Sequence, residues 1–307
     1  MSNSITTGLA IRRAQRARMA VTLIEVLVVI SIVGLLIGLT TSAVQRVRAS
    51  AKRTQCQNNV RQLALALHSY HGVHSRLPSG MTYRDGKDPQ PFLSWLARVL
   101  PHLEQDALWS DTESSFRQNP DFLSPGHAAR AVVVTNFLCP SDTRLTTPSS
   151  KDVTGHFVAY TSYSGVVGRN SGLNDGLLYV DSQHRLSDAA DGTSNTLLIG
   201  ERPPNSDLTL GWWYAGWGQA KNGDAEFLLG VRSRCYNRYI VQCPEGPYTF
   251  TPGDFKNPCD AFHFWSPHPG GANFAFADGS VRFLTYSADS IMPALATRAG
   301  GEVVDIP

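Results

Sequence analysis

The stretch Ala20-Val21-Thr22-Leu23-Ile24-Glu25, opening an apolar run over 26–39, constrains this chain more than any other feature. The block 21–44 is long enough to span a bilayer, which takes ~20 residues. It carries a single carboxylate, Glu25, at its start. A charge inside a membrane segment costs roughly 2.5–3.5 kcal/mol on insertion scales and so marks a functional position. Arg12, Arg13, Arg16 and Arg18 precede it, with no acid before Glu25, which fits a cytoplasmic N-terminus. Arg46, Arg48, Lys52 and Arg53 follow the segment, so charge asymmetry alone orients it only weakly.

A basic leader, a small residue at Ala20 and an early glutamate in an apolar helix together resemble a type IV prepilin leader. The resemblance implies that a prepilin peptidase cuts between Ala20 and Val21 and that Val21 is N-methylated. It also implies that Glu25 pairs with the N-terminal amine of a neighbouring pilin-like subunit, offsetting part of the cost of burying either charge alone. Two plainer readings compete. A secretory signal peptide would need a small-residue cleavage site after the apolar core, and Thr40-Thr41-Ser42-Ala43 is a weak candidate. A plain signal anchor would leave Glu25 at the membrane interface. Related leaders carry a proline where this chain has Ser42, which removes a helix-kinking residue.

The helical pattern continues past the membrane block. Cys56, Val60, Leu63, Ala64, Leu67 and Tyr70 share one face of a 3.6-residue period, and no proline occurs before Pro78. The spacing predicts one helix over 21–72, on the order of 75 Å long at 1.5 Å per residue, stopped by Gly72. The organisation read from the sequence is a leader over 1–20, a membrane and assembly helix over 21–44, its amphipathic exported part over 45–72, and a globular α+β domain over 73–307. About 235 residues follow the helix, enough for a real core. The net charge is +2, with much of the positive charge in the leader and helix, so no nucleic-acid partner is expected. Antiparallel strands are expected over 131–138, 155–165, 176–180, 196–200 and 273–284, β-branched or aromatic runs bounded by turn residues. Segment 92–109 reads as two helical pieces broken at Pro101, and 203–254 as a variable insert.

Export to an oxidising compartment permits disulfides, and five cysteines leave one over. Cys235 and Cys243, eight apart, suit a local staple, while Cys56 lies on the apolar stripe as a core residue. No spacing is C-x-x-C, which argues against a zinc cluster.

Near the C-terminus, Phe274 and Phe276 precede Asp278-Gly279, and Val281 and Phe283 follow it. This alternation around Asp-Gly predicts a hairpin with a type I′ turn. Nine residues separate His268 from Asp278. That spacing is similar to the H-X9-DG region ending a large family of pilin-like proteins whose central domain has no assigned function. Gln55-Cys56-Gln57-Asn58-Asn59, Phe137-Leu138-Cys139-Pro140-Ser141-Asp142, and Asp191-Gly192-Thr193-Ser194-Asn195-Thr196 with Gly200-Glu201 resemble three further segments of that family, in order. The implied fold is pilin-like. The implied function is that of a pilin-like or pseudopilin subunit in the inner membrane, its C-terminal domain periplasmic or extracellular and its partners prepilin peptidase, other subunits and lipid. The alternative is a non-polymerising anchored module that binds carbohydrate or protein.

Candidate sites are few. His268 and Asp278 could pair or share a metal; otherwise His268 caps a turn and Asp278 makes the hairpin. Asp188, Asp191, Asn195 and Glu201 offer hard oxygen ligands around a glycine-containing loop, a donor set suited to calcium, though not in EF-hand spacing. His68, His71 and His74 are three apart, with Gly72 among them. Gly211-Trp212-Trp213-Tyr214-Ala215-Gly216-Trp217 could stack on sugars or fill a core. No G-x-S-x-G, Walker loop or H-E-x-x-H occurs, so neither enzymatic activity nor a cofactor beyond calcium is expected.

Overall fold

The computed structural model describes residues 22–83, 88–147, 155–236, 242–302 and 304; the leader and the Ala20–Val21 junction lie outside them. Compactness divides the chain into Met1–Arg48 and Ala49–Pro307. Helix α1 covers Leu23–His74. Its start is set locally by a reciprocal T-x-x-E box: Thr22 N donates to Glu25 Oε2 at 2.8 Å, and Glu25 N donates to Thr22 Oγ1 at 3.3 Å. In the first unit the large apolar residues of α1 are exposed. Ser31, Thr40 and Thr41 donate their hydroxyls back to the carbonyls of Leu27, Leu36 and Ile37 at 2.8, 2.9 and 2.7 Å. Those bonds satisfy the hydroxyls without water. The helix is long and apolar enough to cross a membrane by length and composition.

Gly72 does not stop it. The helix runs to His74, and Ser75 takes the left-handed turn (φ 57°) while its N–H bonds His71 O at 2.8 Å. The buried face over the second unit is Cys56, Val60, Leu63, Ala64, Ala66 and Leu67: the predicted stripe gains Ala66, and its last member, Tyr70, is only half-buried against the core. These residues, Cys56 aside, belong to a core with Trp95, Phe137, Tyr163, Trp213 and Phe227.

The second unit is α+β around a five-stranded sheet. Its strands are β1 (Tyr163–Val166), β2 (Leu197–Glu201), β3 (Leu228–Leu229), β4 (Gly271–Phe276) and β5 (Val281–Thr285), in the order β3-β1-β2-β4-β5. Three pairings are antiparallel, as expected. The β1–β3 pairing is parallel, with Gly165 opposite Leu228, so the sheet is mixed. β3 comes from within 203–254, which supplies an edge strand and core aromatics.

Segment 131–138 is not a strand but two 3-10 turns, Ala128–Ala131 and Thr135–Phe137. Its amides bond locally, Val132 N to Ala129 O at 3.0 Å and Phe137 N to Val134 O at 3.0 Å, which overrides its β-branched composition. Within 176–180 only Val180 forms a bridge, to Met81. Segment 92–109 contains helix α2 (Trp95–Arg98), a 3-10 turn Leu100–Leu103 beginning around Pro101, and the start of helix α3 (Asp106–Gln118).

β4 is buried on both faces. Phe274 and Phe276 enter a second core with Phe250, Phe264, Leu284 and Met292, the last from helix α4 (Met292–Ala296). Ala275 enters the first core, as the two-residue alternation of a strand requires. The hairpin forms at Asp278-Gly279 but not as type I′. Gly279 N bonds Phe276 O at 2.9 Å, and Gly279 is left-handed (φ 82°) whereas Asp278 has no positive φ. One left-handed glycine after a tight turn is the longer hairpin connection.

Candidate functional site

Four sequence motifs meet in one buried place. Cys56, on the inner face of α1, forms a disulfide with Cys139, with Cα atoms 5.3 Å apart. Asn59 Nδ2 donates to Leu138 O at 2.8 Å, tying the two segments together, and Cys139 N donates to Ser162 Oγ, just before β1, at 2.9 Å. Beside the disulfide stands His268, its Nε2 3.6 Å from Cys139 Sγ and 3.6 Å from Glu201 Oε1. Glu201 ends β2. Its Oε2 accepts from Asn273 N at 2.6 Å and Asn273 Nδ2 at 3.1 Å, whereas Oε1 is buried without a hydrogen-bond partner. One ligand atom from each of Cys56, Cys139, Glu201 and His268 lies within 4.8 Å of the others. Exposure of the four is 0, 2, 1 and 4 %.

Two tyrosines border the cluster. Tyr163 OH lies 3.5 Å from the carbonyls of Cys56 and Leu138, and burial, with the Glu201 charge second, pushes its phenol well above the usual range. Tyr286 OH contacts Ser266 O at 3.5 Å and is raised by burial. Ser266 Oγ donates to Gly271 O at 2.7 Å and accepts from His268 N at 3.1 Å. That clamp fixes the turn carrying His268 ahead of β4. Chemically, the place gathers two sulfurs, one imidazole nitrogen and one carboxylate oxygen.

The structure separates several residues that the sequence grouped. His268 precedes β4 and Asp278 follows it; Asp278 Oδ1 accepts from Ser280 N at 2.8 Å, so the two do not pair. The calcium candidates serve different ends. Asp191 accepts the amides of Gly300 and Gly301 at 2.6 and 2.8 Å, and Asn195 Nδ2 donates to Asp191 O at 3.1 Å. Asp188 accepts from Arg185 N at 3.0 Å and bonds His184 at 3.1 Å; those two groups hold its carboxyl below the usual range, the Arg185 amide foremost. Glu201 belongs to the disulfide cluster.

The three helix histidines diverge. His71 Nε2 accepts from Leu186 N at 3.4 Å, His74 stacks on Tyr70 at 4.0 Å between centroids, and His68 Nε2 is buried without a hydrogen-bond partner. Trp212, Trp213 and Tyr214 are core: Trp213 Nε1 donates to Val132 O at 2.9 Å, and the Tyr214 hydroxyl bonds His127 Nδ1 at 2.7 Å. Cys243 pairs with Cys259, not with Cys235, whose buried thiol is in no disulfide.

A buried charge network escaped the sequence reading. Arg202, fully buried after β2, donates from Nε to Ser164 Oγ at 3.1 Å and from Nη2 to the carbonyl of Glu226. Glu226 Oε2 accepts from Gly211 N and Trp212 N at 2.7 and 3.1 Å. The Asp224 carboxylate accepts from Gln219 at 2.8 Å and from Ser171 and Ser233 at 3.3 Å each. Burial pushes Asp224 up to about 6 and Arg202 down to about 10. Asp224 and Glu226 in the apolar run Ala225-Phe227-Leu228-Leu229 were the available signal.

No curated protein and no solved structure matches the chain. A family model described as a protein of unknown function (DUF1559) matches residues 45–290. That span includes all four residues of the buried cluster, and by this match the chain belongs to the DUF1559 family.

Proposed function

We propose that this chain is a pilin-like, pseudopilin-type structural subunit anchored in the inner membrane. Its leader is cut between Ala20 and Val21 by a prepilin peptidase, Val21 is N-methylated, and its C-terminal domain is periplasmic or extracellular. The observation that carries this reading is α1. One 52-residue helix holds an exposed apolar part, fit for lipid or neighbouring helices, and a part whose inner face is core. The two disulfides agree with an oxidising compartment. On this reading Glu25 exchanges its bonds to Thr22 for the amine of a neighbouring subunit, and the H-X9-DG region closes the domain fold.

One observation favours a second reading, an anchored module that does not polymerise. Glu25 already has a local partner in Thr22, so the carboxylate has a helix-starting role without assembly. Mass spectrometry of the mature N-terminus in membranes of the native host separates the two. N-methylated Val21, with assembly lost in Glu25→Ala while the domain stays folded, supports the subunit. An intact leader supports the anchor.

A further inference from the structure

A disulfide needs neither an acid nor an imidazole beside it, yet this fold buries both against Cys56–Cys139. Glu201 Oε1 has no donor, and a buried acceptor left so costs ~1–3 kcal/mol. His268 Nε2 is 3.6 Å from that oxygen and 3.6 Å from Cys139 Sγ, beyond good hydrogen-bond length to oxygen. The distance has another meaning. Two ligands on one tetrahedral zinc, with bonds of ~2.0–2.3 Å, stand about 3.3–3.8 Å apart. From this we propose that the dithiol form of the cluster is a zinc(II) site, with Cys56 Sγ, Cys139 Sγ, His268 Nε2 and Glu201 Oε1 as ligands. Disulfide and metal are alternative states of one place.

The donor set argues for this metal. Two thiolates with one imidazole suit zinc, whereas calcium and magnesium prefer all-oxygen shells. Supporting groups are present: both Asn273 donors fix Glu201 through its other oxygen, and Ser162 fixes the Cys139 backbone. Such outer contacts orient ligands and strengthen metal binding. The four ligands come from α1, the segment after Thr135–Phe137, the end of β2 and the turn before β4, so only the folded chain assembles them.

The interconversion balances with a trialkylphosphine as reductant. The phosphine attacks one sulfur and the S–S bond breaks. Water supplies the oxygen of the phosphine oxide and two protons, leaving two thiols. Zinc then replaces those two thiol protons, which pass to solvent, and no further electrons move.

The test uses the full chain in detergent, reduced with a water-soluble phosphine and titrated with cobalt(II), then zinc(II). One tetrahedral cobalt per chain is expected, with thiolate charge-transfer bands that zinc abolishes. Glu201→Gln and His268→Ala should each weaken cobalt affinity at least tenfold, while the oxidised protein binds none at this site. Unchanged affinity and spectrum in both variants would overturn the proposal, since Cys235, Cys243 and Cys259 would then be holding the metal. Absence of any tetrahedral cobalt in the reduced wild type would overturn it as well. Should a variant fail to fold, zinc K-edge absorption of the reduced Cys235→Ser/Cys243→Ser/Cys259→Ser chain decides. Two sulfurs with two nitrogen or oxygen neighbours support the site, and any other shell contradicts it.

Discussion

The backbone N–H of Asp278 donates to Thr193 O at 3.0 Å, so the hairpin turn after β4 is fastened to the turn leading into β2. Ala277 N adds a second bond, to Thr196 O at 2.8 Å. Two motifs far apart in the chain are therefore one joint, and its geometry depends on Gly279.

Replacing Gly279 by alanine should loosen that joint. The residue sits at φ 82°, and an added Cβ would lie 3.4 Å from His68 Nε2. A left-handed non-glycine residue costs about 1–2 kcal/mol. The expected result is a lower urea midpoint with an unchanged m-value; an unchanged midpoint would show that the turn relaxes freely.

Asp191 should matter for the C-terminal segment rather than for calcium. Its two oxygens take the amides of Gly300 and Gly301, so Asp191→Ala should cost about 1–2 kcal/mol, allowing for exposure. Hydrogen exchange should locate the loss at 297–302. Calcium should leave the wild-type Tm unchanged, and a rise that vanishes in Asp191→Ala would contradict this assignment.

Asp224 should give stability an inverted pH dependence. Its folded pKa is about 6, raised by burial, against about 3.9 unfolded. The folded state therefore binds the proton more tightly, and stability falls as pH rises between those values. The contribution is complete below about 4 and gone above about 6, at most on the order of 3 kcal/mol. Subtracting the Asp224→Asn stability profile from that of the wild type should reveal this fall. A flat difference across pH 4–7 would refute it.

The two disulfides should differ in worth. Cys243–Cys259 spans 16 residues and Cys56–Cys139 spans 83. On the chain-entropy model these correspond to about 3 and about 4.5 kcal/mol. Chemical unfolding of the Cys243→Ser/Cys259→Ser and Cys56→Ser/Cys139→Ser double variants should therefore show the larger loss in the second. The reverse order would mean that strain or unfolded-state structure outweighs loop length.

Local chemistry was legible without a fold. The stripe from Cys56 to Tyr70 is a periodicity, and Asp278-Gly279 between alternating aromatics is a turn preference; both act over a few residues and both appear as α1 and the β4–β5 hairpin. Where such preferences are weak they misled. Segment 131–138 has strand composition, but its amides are satisfied by 3-10 bonds, and Gly72 continues a helix that Ser75 ends.

What the sequence determined by itself was the long apolar helix, its inner face, the hairpin and the motifs bearing Cys56, Cys139, Glu201 and His268. Only the tertiary structure decided that these four residues share one site, that Cys243 pairs with Cys259, and that Asp278 stands apart from His268. The reason is physical: periodicity and turn preference are encoded within about ten residues. Pairing between segments is set instead by which buried faces and unsatisfied polar groups find one another when the core closes.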